Sequence, residues 1–171
     1  MALQYLFTNG PMQTTAAPVK VATGTSIITL LQVKLGATTV GKIIEWGISF
    51  DGSSAATPGN IELIETDVAA TVTAFVANDI TKYNADALLA GDPTIAIFSV
   101  GTGASGYTAS AEGSTTVTRD LDGAQLIAPT NQYVKQFPLG REPVIQNGKY
   151  MRVRVTFGTS VNALCYAIIE V

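Results

Sequence analysis

The sequence predicts an all-β protein folded as an antiparallel β-sandwich of about eight strands, jelly-roll-like in form. Three observations support this prediction. Apolar and polar residues alternate with a period of two, β-branched and aromatic residues concentrate in the alternating segments, and glycine or proline turns separate those segments. The length of 171 residues predicts a single domain over 1–171, because single domains commonly contain about 100–200 residues.

The clearest strand candidates lie in the first and last parts of the chain. They share short length, alternation and turn residues at their ends: 26–35, 42–50, 60–66, 70–76, 150–157 and 161–171. The last two candidates are separated by a turn at Gly158, so we expect them to pair as a hairpin.

Residues 77–132 interrupt this pattern and are predicted to form an excursion from the sandwich. The predicted elements of the excursion are a short helix at 84–90, a strand at 94–100, a glycine-rich stretch at 101–118, and weak strands at 114–119 and 124–128. An Asp122-Gly123 turn is expected to join the two weak strands.

The first 25 residues are predicted to form an N-terminal extended arm. Residues 1–25 are rich in Thr and Ala, poor in charge, and interrupted by Pro11 and Pro18, yet they begin with a cluster of apolar side chains. Such a cluster needs cover from water. Two alternatives are open: the arm adds to a sheet edge of a neighbouring chain, or it packs on its own domain as one more strand.

The composition excludes the common catalytic arrangements. The chain has no histidine and one cysteine, Cys165. It therefore has no Ser-His-Asp or Cys-His pair, no HExxH zinc helix and no internal disulfide. We expect a protein that is not an enzyme, with no catalytic, cofactor-binding or metal-binding residues.

Charge is sparse and slightly acidic. Charged residues make up 13% of the chain, against about 25% in typical soluble domains. Since charge keeps monomers soluble, this deficit indicates an exterior covered by other protein chains. The net charge of −3, with scattered Lys and Arg, argues against nucleic acid. We also expect no membrane span and no Sec export, because no long apolar run or signal-peptide pattern is present.

Three motifs suggest specific chemistry, and each has a simpler interpretation. Residues 101–106 spell GxGxxG, but no helix pattern follows them, which favours a glycine loop over a nucleotide site. Residues 120–123 begin like a calcium loop but lack its later ligands, which favours a hairpin turn. Glu62 and Glu65 lie three residues apart on a strand, so they face opposite sides and do not form an acid/base pair.

Several single residues are assigned from their neighbours. Cys165 lies in an apolar strand and is predicted to be buried as a small hydrophobic residue. Trp46 and Phe50 are predicted to lie in the core. Arg152 and Arg154 share one face of their strand, and we expect that face to be solvated or to meet acidic residues of a partner.

Two regions, 30–76 and 133–171, resemble a family of small phage-associated proteins. The resemblance is carried by EWGISFDGSSA at 45–55, by FPLGRE at 137–142, and by a last strand that runs from RVT at 154–156 to Glu170. The predicted shape is also similar to that of phage head decoration (cement) proteins, which are compact β-sandwiches, often trimeric, seated on the capsid lattice.

The resemblance implies a structural virion protein, either a capsid decoration protein or a minor capsid component. It implies synthesis in the host cytoplasm, assembly as a homotrimer, and the major capsid protein or other virion proteins as partners. The 77–132 excursion departs from the family pattern and is expected to carry contacts peculiar to this protein. The alternative from another class is a carbohydrate-binding jelly-roll module of a fibre or adhesion protein, with surface tyrosines such as Tyr107 stacking on sugars.

Overall fold

The computed structural model describes residues 2–51, 57–86, 91–114, 116–126 and 131–171. Of these residues, 49% lie in strands and 5% in helices. The strands form two antiparallel sheets that pack together, so the predicted β-sandwich is confirmed. The finer jelly-roll assignment stays a prediction.

The described strands, in chain order, are β1 (Gln4–Thr8), β2 (Val21–Ala22), β3 (Ile28–Lys34), β4 (Gly41–Asp51), β5 (Gly59–Thr66), β6 (Thr71–Ala74), β7 (Thr81–Lys82), β8 (Gly106–Ala111), β9 (Arg119–Leu126), β10 (Gln132–Gln136), β11 (Val144–Ile145), β12 (Tyr150–Thr156) and β13 (Asn162–Glu170). A 3-10 turn at Ala77–Asp79 and the helix α1 (Pro93–Ile97) complete the described elements. All six of the clearest strand candidates are confirmed. The strand count exceeds the expected eight because β2, β7 and β11 have two residues each, because β8 and β10 were not predicted, and because β1 was expected only as the alternative to an extended arm.

The two sheets have different strand orders. One, which we call the front sheet, has the order β10-β4-β13-β1-β7, with β11 also paired to β4 and β2 to β13. The other, the back sheet, has the order β6-β8-β3-β12-β5-β9. Consecutive strands often lie in different sheets, so the chain repeatedly crosses from one sheet to the other.

The predicted hairpin of the last two strands is wrong for this reason. β12 pairs with β3 and β5 in the back sheet, whereas β13 pairs with β1 and β4 in the front sheet. The connection around Gly158 passes over the end of the sandwich, and Phe157 and Val161 are buried on either side of it. Burial of these two apolar residues favours the crossing over a tight turn within one sheet.

The segment predicted as a strand at 94–100 is helical over Pro93–Ile97. Asp92 precedes the helix, and its carboxylate accepts a hydrogen bond from the backbone amide of Thr94 at 2.8 Å. Asp92 and Pro93 therefore begin a helix where we expected a strand. Of the helix predicted at 84–90, residues 84–86 are not helical, and 87–90 lie outside the described residues.

One continuous strand, β9, replaces the two weak strands predicted around Asp122-Gly123. It contains 124–126 of the second predicted strand but only Arg119 of the first, since 114 and 116–118 are not in a strand. The hairpin turn expected there is wrong, because β9 pairs with β5 along its whole length. A β-bulge at Leu121 shifts the register, so that Leu63 lies opposite Asp122 and Ile64 opposite Asp120. The bulge changes the face of the sheet to which the following side chains point, so that Asp122 points toward the front sheet. Thr115 and 127–130, at the outer ends of the two predicted strands, lie outside the described residues.

The beginning of the chain packs on its own domain, the second of the two alternatives for the arm. β1 lies between β13 and β7 in the front sheet, and Tyr5 and Phe7 are fully buried. The predicted extended arm over 1–25 is therefore wrong for Gln4–Thr8, because burial of these rings requires a central strand. Met1 lies outside the described residues.

Large side chains from both sheets form one core cluster, which includes Trp46 and Phe50 as predicted. Trp46 has no exposed surface and Phe50 is 7% exposed. Trp46 and Phe50 share a face by strand alternation, and a bulge in β4 lets Ile43 face the core as well: Ile43 pairs with Ile169 and Glu45 with Ile168, which leaves Ile44 as the extra residue. Residues before and after the bulge can therefore both face the core.

Replacing Trp46 with Ala should lower the free energy of unfolding by about 3–5 kcal/mol, the cost of emptying a large buried site. Urea denaturation followed by circular dichroism measures this, since Trp46 is the only tryptophan and fluorescence is lost with it. Trp46→Phe keeps most of the packing and should cost less. A loss below about 1 kcal/mol for the alanine variant would contradict the burial described here.

Deleting residues 2–8 should unfold the domain, because it removes a central strand and two fully buried aromatic rings. Replacing 13–18 with a Gly/Ser linker of equal length should leave the fold intact, since 14–18 are exposed. Thermal unfolding followed by circular dichroism compares the two variants. A cooperative transition in the deletion variant near the wild-type temperature would show that β1 is dispensable.

Candidate functional site: an apolar cleft on the front sheet

The outer face of the front sheet carries a cleft of about 440 Å³. Its floor crosses the sheet from edge to edge. Each of the five strands on the main path contributes at least one residue to the floor, in the order Val134, Ser49, Leu164, Leu6 and Thr81. The cleft therefore exists only because these five strands are adjacent in space, although they are far apart in sequence.

The wall of the cleft is the segment 9–19, which follows β1 and passes back over the sheet. Asn9 anchors its beginning: the side-chain amide donates to the Ala163 carbonyl at 3.2 Å and accepts from the Cys165 amide at 2.9 Å. Further along, the Met12 amide donates to a carboxylate oxygen of Asp79 at 3.3 Å. The segment ends at β2, which pairs with β13. The wall is thus attached to its own domain at both ends.

Tyr166 shapes the floor by lying across Gly47. A Cβ at position 47 would lie 2.5 Å from Cε1 of Tyr166, so only glycine permits this close approach. The phenol of Tyr166 donates to Oε1 of Glu45 at 2.5 Å. Burial and the adjacent Glu45 carboxylate both raise the pKa of Tyr166 above its ordinary value, so the phenol stays protonated.

The chemistry of the cleft is mainly apolar. Met12, Val19 and Val134 line it and are 49%, 63% and 53% exposed. Asn9 and Asp79 are polar lining residues, but their side chains already bond to backbone groups. The exposed apolar part of the lining is suited to contact with apolar side chains of another protein.

Asp122, which the sequence placed in a turn, joins the two sheets. Its Oδ2 accepts from the Trp46 indole nitrogen at 2.9 Å and from the Tyr133 hydroxyl at 2.8 Å. Burial, with the hydrogen bond and charge of Asp122, raises the pKa of Tyr133 to about 12. Among the described residues, no group of three or more Cys, Asp or Glu side chains could hold a metal ion.

Glu65 forms a second tie between the sheets, at one end of the sandwich. It is fully buried, and Arg119 donates to its carboxylate from Nε at 2.8 Å and from Nη2 at 2.6 Å. The Gln146 amide adds a bond at 2.9 Å, and Arg119 also donates to the Val144 carbonyl. Burial by itself would raise the pKa of Glu65, but these hydrogen bonds and the Arg119 charge outweigh it and lower that pKa.

Glu62 lies on the opposite face of β5 and bonds to Nε of Arg154 at 2.8 Å. The prediction that Glu62 and Glu65 face opposite sides is therefore confirmed. The expected solvation of Arg152 and Arg154 is wrong, since they are 0% and 5% exposed. On this outer face of the back sheet, Val68 and Glu112 contact Arg152.

Arg152 is surrounded by acceptors of its own chain. Its Nε donates to Gln32 at 3.1 Å, its Nη1 to the Glu112 carboxylate at 3.4 Å, and its Nη2 to the Val68 carbonyl at 2.5 Å. The acidic partner that we expected from another chain is therefore supplied internally. Strand alternation correctly placed the arginines away from the core but could not show that a loop contacts and buries Arg152.

The remaining predicted residues have structural surroundings. Gly106, the last glycine of GxGxxG, begins β8, so a strand follows the motif and the glycine-loop interpretation is favoured. A Cβ on Gly106 would overlap the Thr73 carbonyl, which explains the glycine by strand packing. Cys165 is 3% exposed as predicted, and burial raises the pKa of its thiol. Tyr107 is half-buried, with its ring centroid 5.4 Å from that of Phe75.

Sequence reasoning missed the cleft altogether. β10, which forms one end of its floor, gave a weak signal, the dipeptide Tyr133-Val134 between polar residues. Searches of protein-family models, curated proteins and solved structures found no match to this chain. None of the described helices has the length and apolarity needed to cross a membrane.

Replacing Glu65 with Gln should lower the free energy of unfolding at neutral pH by about 1–3 kcal/mol, because Arg119 loses a charged acceptor. Since the folded-state pKa of Glu65 is depressed, its contribution is present above the ordinary value of 4.5 and is lost as pH falls through the folded-state pKa. The difference between wild type and Glu65→Gln should therefore shrink on acidification.

Urea denaturation at a series of pH values measures this difference. The control is Asp67→Asn, which removes an exposed ion pair with Lys149 and should cost less than about 1 kcal/mol. Stability curves for wild type and Glu65→Gln that stay parallel from neutral to acidic pH would show that Glu65 does not carry the effect.

Proposed function

We propose that this chain is a structural virion protein, a phage capsid decoration (cement) protein or a minor capsid component, which acts through protein-protein contacts. The observation that carries the proposal is the apolar cleft on the front sheet, bordered by exposed Met12, Val19 and Val134. A contiguous exposed apolar surface is typical of a site that binds another protein.

The distribution of charge supports the same proposal. Six of the ten basic side chains form ion pairs with carboxylates of the same chain: Lys20, Lys82, Arg119, Lys149, Arg152 and Arg154. Because these six basic side chains are neutralised by carboxylates of the same chain, fewer unpaired charges remain on the protein than its composition indicates. A weakly charged exterior favours association with other protein surfaces.

A second exposed apolar group lies in the FPLGRE segment that carries the family resemblance. Leu139 is 97% exposed at the tip of a turn, which a hydrogen bond from the Arg141 amide to the Pro138 carbonyl closes at 2.9 Å. Contact of this leucine with a partner would remove its apolar surface from water, which is favourable. Repetition of such modest contacts over a symmetric capsid lattice would multiply their effect.

The test is whether the protein is part of phage particles. Particles purified from a lysate of the host that carries the gene should contain this chain at a constant ratio to the major capsid protein, measured by mass spectrometry. Leu139→Asp should reduce rebinding of the purified protein to depleted particles, whereas Val40→Asp, at a 55% exposed control position, should not. Absence of the chain from purified particles would reject the proposal.

A further inference from the structure

We propose that two copies of this chain join their front sheets edge to edge through β10, in antiparallel pairing about a twofold axis at Val134. The inference does not depend on the proposed function, and it puts a dimer in place of the homotrimer that the family resemblance implies. It adds the surface, the partner and the geometry of that association.

The backbone of β10 has an edge available for pairing. In the part of the chain that the structure describes, β10 pairs only with β4. The Phe50 amide donates to the Asn131 carbonyl at 3.3 Å, and the Phe137 amide donates to the Ile44 carbonyl at 3.0 Å. Odd-numbered residues here therefore direct their backbone groups toward β4, and the register has no bulge.

The backbone groups of the even-numbered residues consequently point the other way. Gln132, Val134 and Gln136 direct their N–H and C=O groups away from β4, to the outside of the sheet. Such a row of unpaired groups is a template for an added strand. The other long edge strand, β9, is a poorer template, because the bulge at Leu121 interrupts its regular spacing.

The sequence of β10, QYVKQ, is close to self-complementary in an antiparallel ladder. A twofold axis at Val134 places Val134 opposite itself and Gln132 opposite Gln136 of the second copy. These are the residues with outward backbone groups, so the pairing forms about six hydrogen bonds between the copies. Val134 is 53% exposed and gains apolar cover, while the glutamine amides can bond to each other.

The side chains of β10 that face the core side of the sheet, Tyr133 and Lys135, are also complementary between the two copies. The same register places Lys135 beside Tyr133 of the second copy, as a pair without backbone hydrogen bonds, in which side chains approach closely. The Tyr133 hydroxyl already donates to Asp122 at 2.8 Å. The Lys135 ammonium therefore meets an aromatic ring and a nearby carboxylate. A lysine on an edge strand normally discourages strand addition. Here Lys135 favours a partner strand that presents an aromatic ring and a carboxylate, as the second copy does.

The pairing also extends the apolar surface of the proposed function. A twofold axis perpendicular to the sheet keeps the outer faces of both front sheets on the same side. Gln132 and Val134 line the cleft. The two clefts would therefore be neighbours across the axis and form one longer apolar surface for a capsid partner.

The test uses opposite charges at the axis. Light scattering after gel filtration should give the wild type a mass of twice 17.8 kDa. Val134→Asp and Val134→Lys should each halve that mass, because like charges then face each other. An equimolar mixture of the two variants should restore it, because opposite charges meet. Val40→Asp, at 55% exposure, is the matched control and should leave the mass unchanged.

A second variant tests the backbone directly and guards against misfolding. Val134→Pro removes an outward N–H without touching the ladder to β4, so it should halve the mass while circular dichroism stays unchanged. A monomeric or trimeric wild type, aspartate and lysine variants that keep the doubled mass, or a mixture that stays monomeric would each overturn the pairing. Particles that contain a monomeric chain would overturn the pairing alone. Particles that lack a dimeric chain would overturn the proposed function alone.

Discussion

Small side chains on the inner face of β13 allow the sandwich to close over large aromatic rings. Ala167 lies between Trp46 on β4 and Phe7 on β1, and Ala163 lies opposite Phe50. A larger group at either alanine would push the aromatic side chains apart, and overpacking of this kind costs about 1–3 kcal/mol. Cys165 has the same role as a compact residue between the two alanines, and its side chain is buried.

The outer face of the same strand forms the candidate site. Because side chains alternate along β13, Leu164 and Tyr166 point away from the core and become part of the cleft floor. Gly47 on β4 gives Tyr166 the space to lie flat across the sheet. The packing that closes the core and the shape of the outer surface therefore depend on one strand pairing, between β4 and β13.

The few charges of this chain are used mainly to connect its parts. Asp122 links the back sheet to Trp46 and Tyr133 in the front sheet. At one end Arg119, which binds Glu65 in the back sheet, makes a similar link by donating to the Val144 carbonyl of β11. Each carboxylate is held by more than one donor, the condition under which a buried charge is tolerated. Because so many charged side chains bond within the chain, contacts with other proteins would be made mainly by apolar side chains and backbone groups. This is the physical basis of the proposed assembly through the cleft and β10.

The sequence by itself determined the fold class, the clearest strands and the core positions of Trp46, Phe50 and Cys165, because alternation and β-branched composition are local properties of a half-buried strand. Only the tertiary structure decided which sheet each strand joins, so the crossing between the sheets around Gly158 could not be predicted and the hairpin expected there is wrong. The same holds for Asp122, whose local sequence favours a turn until a bulge and two donors on another sheet hold it in a strand. Arg152 is buried by a loop distant in sequence, and the cleft gathers residues from five strands. These features depend on contacts between residues far apart in the chain, and periodicity carries no information about them.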